Sequence, residues 1–267
     1  MHMKKAMALL VFCCIASLLN SHEFWLQPNR FQYKAGDPVR IRFHAGEDFR
    51  GENWTGTRSS VERLELFWKE FDDDLKPLIG DRVPGDSLVI QFFDEGTVMT
   101  VFESTDKYNR LDPAEFQAYL QEEGLQHAID YRSGENETDS AGREYYRRSV
   151  KTIFQVGTSL ENSCTKTTGL PLDIIPLTHP YALKKGQSLP VKVLFKREVL
   201  PNYRVKLWHR LNSKTEVTDL ETDSTGQLRI PVSLAGQWMV SAVRMERIAR
   251  DSADWQSYWG SLTWGYY

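Results

Sequence analysis

The feature that most constrains this chain is how often it turns. Turn-forming residues recur at Pro28-Asn29, Ala35-Gly36-Asp37-Pro38, Gly46, Gly51, Gly80, Pro84-Gly85 and Asp94-Glu95-Gly96, with only short apolar runs between them. Such gaps leave room for strands and for little else. Residues 38–43 alternate, with Val39, Ile41 and Phe43 on one side and Arg40 and Arg42 on the other. A period of two puts the three apolar residues on one face of a sheet. Residues 61–68 alternate in part, and 87–93 with 96–103 read as a hairpin around Asp94-Glu95-Gly96. From residue 170 the same rhythm gives candidate strands at 170–177, 189–195, 203–210, 215–221, 228–233, 237–246 and 256–266. Seven short strands in that span match an immunoglobulin-like sandwich.

One helix interrupts the pattern. Asp112-Pro113-Ala114-Glu115 is a capping signature, with an acid at the cap, proline at the first helical position and glutamate at the third. The helix is expected over about 113–131, with Phe116, Leu120, Leu125 and Ile129 as its apolar face and Gly124 as a break or kink. A polar loop at 132–143 precedes a long strand at 144–157. Residues 158–169 are polar and lack periodicity, which marks a linker. The expected fold class is therefore all-β, with two β-sandwich domains and one helix inserted in the first. The domains are 22–157 and 170–267.

The first segment reads as an address. Lys4 and Lys5 precede an apolar or small run over 6–19, and Asn20, Ser21, His22 and Glu23 follow at once. The run is too short to span a bilayer, and the arrangement is that of a secretory signal peptide over 1–21. The expected location is the periplasm or the secreted fraction. No later stretch approaches about 18 apolar residues, so no transmembrane segment is expected in the mature chain. Loss of 1–21 removes two lysines and no acid, making the net charge of −3 two units more negative. That balance argues against a nucleic-acid partner. Of the three cysteines only Cys164 would remain, so neither a thiolate zinc site nor an internal disulfide is expected.

Several segments carry a resemblance. They are His22-Glu23-Phe24-Trp25-Leu26-Gln27-Pro28, Ala45-Gly46-Glu47-Asp48-Phe49-Arg50-Gly51-Glu52, the helix around Tyr119-Leu120-Gln121-Glu122-Glu123-Gly124-Leu125, and Gly142-Arg143-Glu144-Tyr145-Tyr146-Arg147-Arg148. Further on come His179-Pro180-Tyr181-Ala182-Leu183, Gly236-Gln237-Trp238, and Asp254-Trp255-Gln256-Ser257-Tyr258-Trp259. Together they resemble the NikM-like periplasmic family of unknown function, DUF4198, labelled as related to nickel and cobalt uptake. The resemblance implies a second domain like an immunoglobulin or prealbumin module. It also implies handling of a divalent transition metal.

Cleavage after Ser21 would leave His22 as an N-terminal residue. Its α-amine and ring nitrogen together can chelate Cu(II) or Ni(II), for which nitrogen donors are suited. His44 is the favoured second ligand, at the end of a strand before the Gly46 turn, with His179, His127 and His209 as other candidates. Glu47, with Asp48 and Glu52, could add oxygen ligands. No HxH or HExxH is present, so any such site must be built from distant segments. GxSxG, phosphate-loop and dinucleotide patterns are also absent, and no catalytic residue and no enzymatic activity are expected. The expectation is a metal-binding accessory protein for nickel, cobalt or copper uptake or homeostasis, working with an envelope transport protein. The alternative is a metal-free module that binds an envelope protein or glycan through an aromatic platform including Trp255 and Trp259.

Overall fold

The computed structural model describes residues 23–81, 87–250 and 252–267. The segment expected to be a signal peptide, 1–21, and His22 lie outside them. The architecture is all-β with two helices, built as three stacked sheets. The front sheet holds β1 (Glu23–Pro28), β3 (Pro38–Glu47) and β4 (Arg50–Asn53) in that order, with β7 (Ser87–Gln91) also on β3. The central sheet has ten strands. Its path runs β15 (Lys214–Glu221), β14 (Arg204–Leu211), β17 (Gln237–Arg250), β18 (Ala253–Gly265) and β10 (Gly142–Val156). It continues through β8 (Gly96–Ser104), β5 (Val61–Trp68) and β6 (Phe71–Asp74). Two short strands, β2 (Gln32–Tyr33) and β9 (Lys107–Leu111), join it on β10. The back sheet holds β11 (Leu172–Pro176), β12 (Ser188–Phe195) and β13 (Glu198–Val199), with β16 (Gln227–Pro231) also on β12.

Side-chain parity explains the stacking. On β10, Val150, Phe154 and Val156 join a core with Phe24, Leu26, Val39, Ile41 and Phe43 of the front sheet. Ile153, of the other parity, joins Leu172, Ile174, Leu189 and Val191 of the back sheet. On β8 every residue is buried, with Val98 and Phe102 facing forward and Met99 and Val101 facing back. A strand covered on both faces reads as a continuous apolar run. Each large side chain buried this way contributes roughly 1.5–3 kcal/mol.

Two expectations change. The hairpin at 87–103 does not form, because its halves belong to different sheets. β7 pairs with β3, whereas β8 pairs with β5 and β10. The Asp94-Glu95-Gly96 turn carries the chain between layers, since a strand apolar on both sides is best buried centrally. The single helix becomes α1 (Pro113–Glu122) and α2 (Gln126–Gly134). The capping box at Asp112 and Glu115 is present. Gly124, at φ +66°, takes the left-handed conformation that ends α1, and Leu125 N–H returns to the Leu120 carbonyl at 2.8 Å.

The long strand expected at 144–157 is β10. It pairs in parallel with β18, from Glu144 opposite Trp255 to Thr152 opposite Thr263. The central sheet thus takes strands from both sides of 158–169. Within that segment a short 3-10 turn, Asn162–Thr165, seats Cys164 in the back core.

Candidate functional site

β3 and β4 form a hairpin whose two-residue tip, Asp48 and Phe49, has φ of 54° at both positions. Both central residues must be left-handed to match the strand twist, at a cost of roughly 1–2 kcal/mol per non-glycine residue. The tip is clamped from the far end of the central sheet. Arg210 Nη1 donates to the Phe49 carbonyl, Thr215 Oγ1 donates to the Asp48 carbonyl at 2.8 Å, and Phe49 packs edge-on to Trp25 at 5.7 Å. Gly46 and Gly51 face each other across the hairpin, and a Cβ on Gly46 would lie 2.2 Å from the Arg50 carbonyl oxygen. This fixed hairpin separates two clefts.

The smaller cleft, about 530 Å³, is lined by Trp25, Gln27, His44, Arg210, Gln237 and Tyr267 among others. His44 stacks on Trp25 at 5.4 Å and 17°. Its half-buried ring has a lowered pKa, chiefly from burial, and is neutral at pH 7. Its Nδ1 is buried with no hydrogen-bond partner. Gln27 is the hub of the polar wall, accepting from Trp25 Nε1 at 3.2 Å and from Gln237 Nε2.

Glu47 does not join His44. Three residues apart on one strand, they have opposite parity, and Glu47 lines the larger cleft instead. His179 lies elsewhere, buried at the front of a 3-10 turn. Its Nδ1 accepts from Tyr181 N–H at 3.1 Å and its Nε2 meets Thr97 Oγ1 at 2.7 Å, so both ring nitrogens are engaged. Trp255 and Trp259 are roofed by α1 and α2 in a core with Phe116, Tyr119 and Leu120, so neither offers an open face. The indole of Trp259 stacks on Tyr119 at 5.8 Å. His127 contacts the Met245 carbonyl and His209 stacks on Trp238. Among the described residues no group of three or more His, Cys, Asp or Glu is placed to hold a metal ion.

The larger cleft, about 1030 Å³, lies between the β3–β4 hairpin and the strands β8, β9 and β10. Glu47, Asp48 and Glu52 line it on the hairpin side, together with Trp54. Ser104, Lys107, Tyr146 and Arg148 line the opposite wall. Lys107 stands across from Tyr146 in the β9–β10 register and donates through Nζ to Ser60 Oγ at 2.9 Å. The Arg148 guanidinium lies 4.5 Å from the centre of the Phe24 ring and 5.3 Å from that of Tyr146. Its backbone N–H donates to Ser104 Oγ at 3.0 Å. No described carboxylate pairs with the guanidinium. Burial pulls its pKa down, opposed only by the Tyr146 hydroxyl.

A family model described as "Domain of unknown function (DUF4198)" matches residues 19–246, most of the sequence. The chain belongs to the DUF4198 family. No curated protein matches it. Among solved structures it is similar to the D0–D1 domain of intimin, at 10% identity over 90% of this chain and 97% of that one, with a TM-score of 0.23. An Escherichia coli alpha-2-macroglobulin activated by porcine elastase shows 9% identity over 92% of this chain and 22% of that one, with a TM-score of 0.23. Three N-terminal domains of the bacteriophage RB49 outer capsid protein Hoc show 11% identity over 91% and 59%, with a TM-score of 0.19.

In this DUF4198 chain the sequence reading passed over Arg148, Tyr146 and Lys107 as site residues. The available signal was parity. Tyr146, Arg148 and Val150 share one face of β10, so two polar residues continue an apolar stripe. The remaining polar residues of that segment behave as cross-strand partners. Arg147 bonds Glu103 at 3.1 Å and Asp106 at 2.9 Å, and Arg143 holds Asp254 through two bonds of 2.8 Å.

Proposed function

We propose that this protein is a secreted, non-catalytic binding module of the cell envelope that holds its ligand in the cleft under the β3–β4 hairpin. The observation that carries this reading is the built character of that cleft. A strained hairpin is clamped from a distant part of the sheet, and backbone strain held this way is characteristic of binding sites. Trp54 and Tyr146 supply ring surface, while Ser60, Ser104 and the hairpin backbone supply polar groups, the mixture expected of a ligand pocket. Hydrogen exchange of the protein with and without a detergent-free envelope fraction tests the reading. Protection confined to 45–57 and 104–107 with 142–148 is expected. Protection elsewhere, or none, overturns it.

A second reading is a divalent transition-metal accessory role in nickel, cobalt or copper handling, alongside an envelope transport protein. His44 favours it, being a neutral imidazole with an unpartnered ring nitrogen. Of His44, Glu47 and His179 it alone fits a nitrogen ligand, so His22 would have to supply the rest of the donor set. Native mass spectrometry with limiting Cu(II) or Ni(II) tests it. One retained metal, lost in both His22→Ala and His44→Ala, is expected. Retention in either variant, or no metal bound to the wild-type chain, overturns it.

A further inference from the structure

We infer that the larger cleft recognises an oxyanion, a carboxylate or a phosphate group, which Arg148 holds as a fork and Lys107 supports as a second cation. The inference rests on the cleft being the binding site and names the chemistry of what enters it.

Four observations lead there. First, every other described arginine or lysine facing the interior from β10 has its acid: Lys151 has Asp173, and Arg147 has Glu103 and Asp106. Arg148 has none, although it is half-buried and desolvation acts on it. A desolvated charge without a partner is costly, and a fold that keeps one at a cleft wall leaves its partner to come from outside. Second, the Phe24 and Tyr146 rings at 4.5 and 5.3 Å hold the guanidinium by its π-surface. Contacts of that kind leave the N–H edge available for two parallel hydrogen bonds to a planar oxyanion. Third, the position is preorganised. The Arg148 backbone is fixed by Ser104 Oγ on β8 and its strand is central in the sheet. Fourth, Lys107 lines the same wall with only the neutral Ser60 hydroxyl as its described partner. Two cations on one wall face Glu47, Asp48 and Glu52 on the hairpin side. An anion with a polar body therefore suits the site, its charged end on the Arg148 wall and its hydroxyl or amide groups toward the hairpin.

The test uses the full mature chain and three probes: D-glucuronate for the carboxylate, inorganic phosphate for the phosphate, and methyl glucoside as the neutral control. Amide and arginine side-chain N–H resonances are followed during titration. The expected result is saturable shifts at Arg148, Tyr146, Lys107 and the hairpin with one anion, and none with the neutral sugar. Glucuronate alone would assign the carboxylate, and phosphate alone the phosphate. Arg148→Gln should weaken binding at least about ten-fold, and Arg148→Lys, which keeps charge but loses the fork, should recover only part of it. Lys107→Gln should weaken binding less. Absence of saturable shifts in the wild-type chain with both anions, shifts mapping elsewhere, or equal affinity in a folded Arg148→Gln each overturns the inference. The wild-type titration decides even where a variant fails to fold. The two proposals fail separately. If an envelope fraction still protects 45–57 from exchange in Arg148→Gln, the binding-module reading stands and the oxyanion assignment falls.

Discussion

Arg148 and Lys151 stand three residues apart on β10 and face opposite ways. Lys151 points between the central and back sheets, where Asp173 Oδ1 accepts from it at 2.5 Å. The other oxygen of Asp173 accepts from the Thr168 and Gly169 backbone N–H groups at 2.8 and 3.2 Å, so the pair is closed on every side. Arg148 points between the central and front sheets, toward a cleft, and has aromatic rings where Lys151 has an acid. The same strand thus carries one cation neutralised within the fold and one that is not. A sealed ion pair serves the packing of two layers. An unpaired cation at an opening is available to something that arrives.

The largest expected effect is at the sealed pair. Asp173→Asn leaves Lys151 buried without its charge partner and should cost about 3–5 kcal/mol in urea unfolding. Replacing both residues, as in Lys151→Met with Asp173→Leu, should cost less than Asp173→Asn alone. A single variant as stable as wild type would mean that the pair is not what joins the sheets there.

A third ionisable residue on β10 sharpens the contrast through pH. Glu144 is buried beneath the helices, accepts from Ser257 Oγ at 2.8 Å, and burial raises its pKa to about 7. The folded state then holds its proton more tightly than the unfolded chain. Its contribution is fully present below about pH 4.5 and is lost as pH rises toward and through about 7. Glu144→Gln should flatten the fall in stability across that window by on the order of 3 kcal/mol, read from denaturant midpoints at several pH values. An unchanged slope would assign the pH dependence to another acid. Glu23, buried and raised to about 8, is the next in line.

The smallest stability effect is expected at Arg148. It gives up two ring contacts but no ion pair, so Arg148→Gln should stay within about 1 kcal/mol of wild type. Thermal melting checks this before any ligand is added. A loss as large as that of Asp173→Asn would make Arg148 a structural residue and dissolve the comparison.

Alternation over 38–43 and the apolar content of 96–104 made the β character legible, and the residues at 112–115 announced α1. Local spacing could not reveal that the central sheet is covered on both faces. Parity then says which residues share a face but not which face is buried, so nothing in the local pattern marks Glu144 and Lys151 as buried. The parallel partnership of β10 and β18 joins residues more than a hundred apart, and no periodicity encodes it. His44 and Glu47 were both candidate ligands, yet their odd separation on β3 sets them in different clefts. Trp255 and Trp259 were read as a platform because nothing local announces the helices that cover them. Arg148 was hidden among arginines that do have acids.

The placement of β18 also bears on how the chain can be made. It follows all the other strands in sequence, yet it lies between β17 and β10 in the middle of the central sheet. A chain emerging from the ribosome therefore cannot close that sheet until residues 253–265 have appeared. Before then residues 144–152 of β10 lack their β18 partner and the front layer has only part of its support. Early, one-domain-at-a-time folding is disfavoured, and the central sheet stays open until β18 can be inserted between β17 and β10.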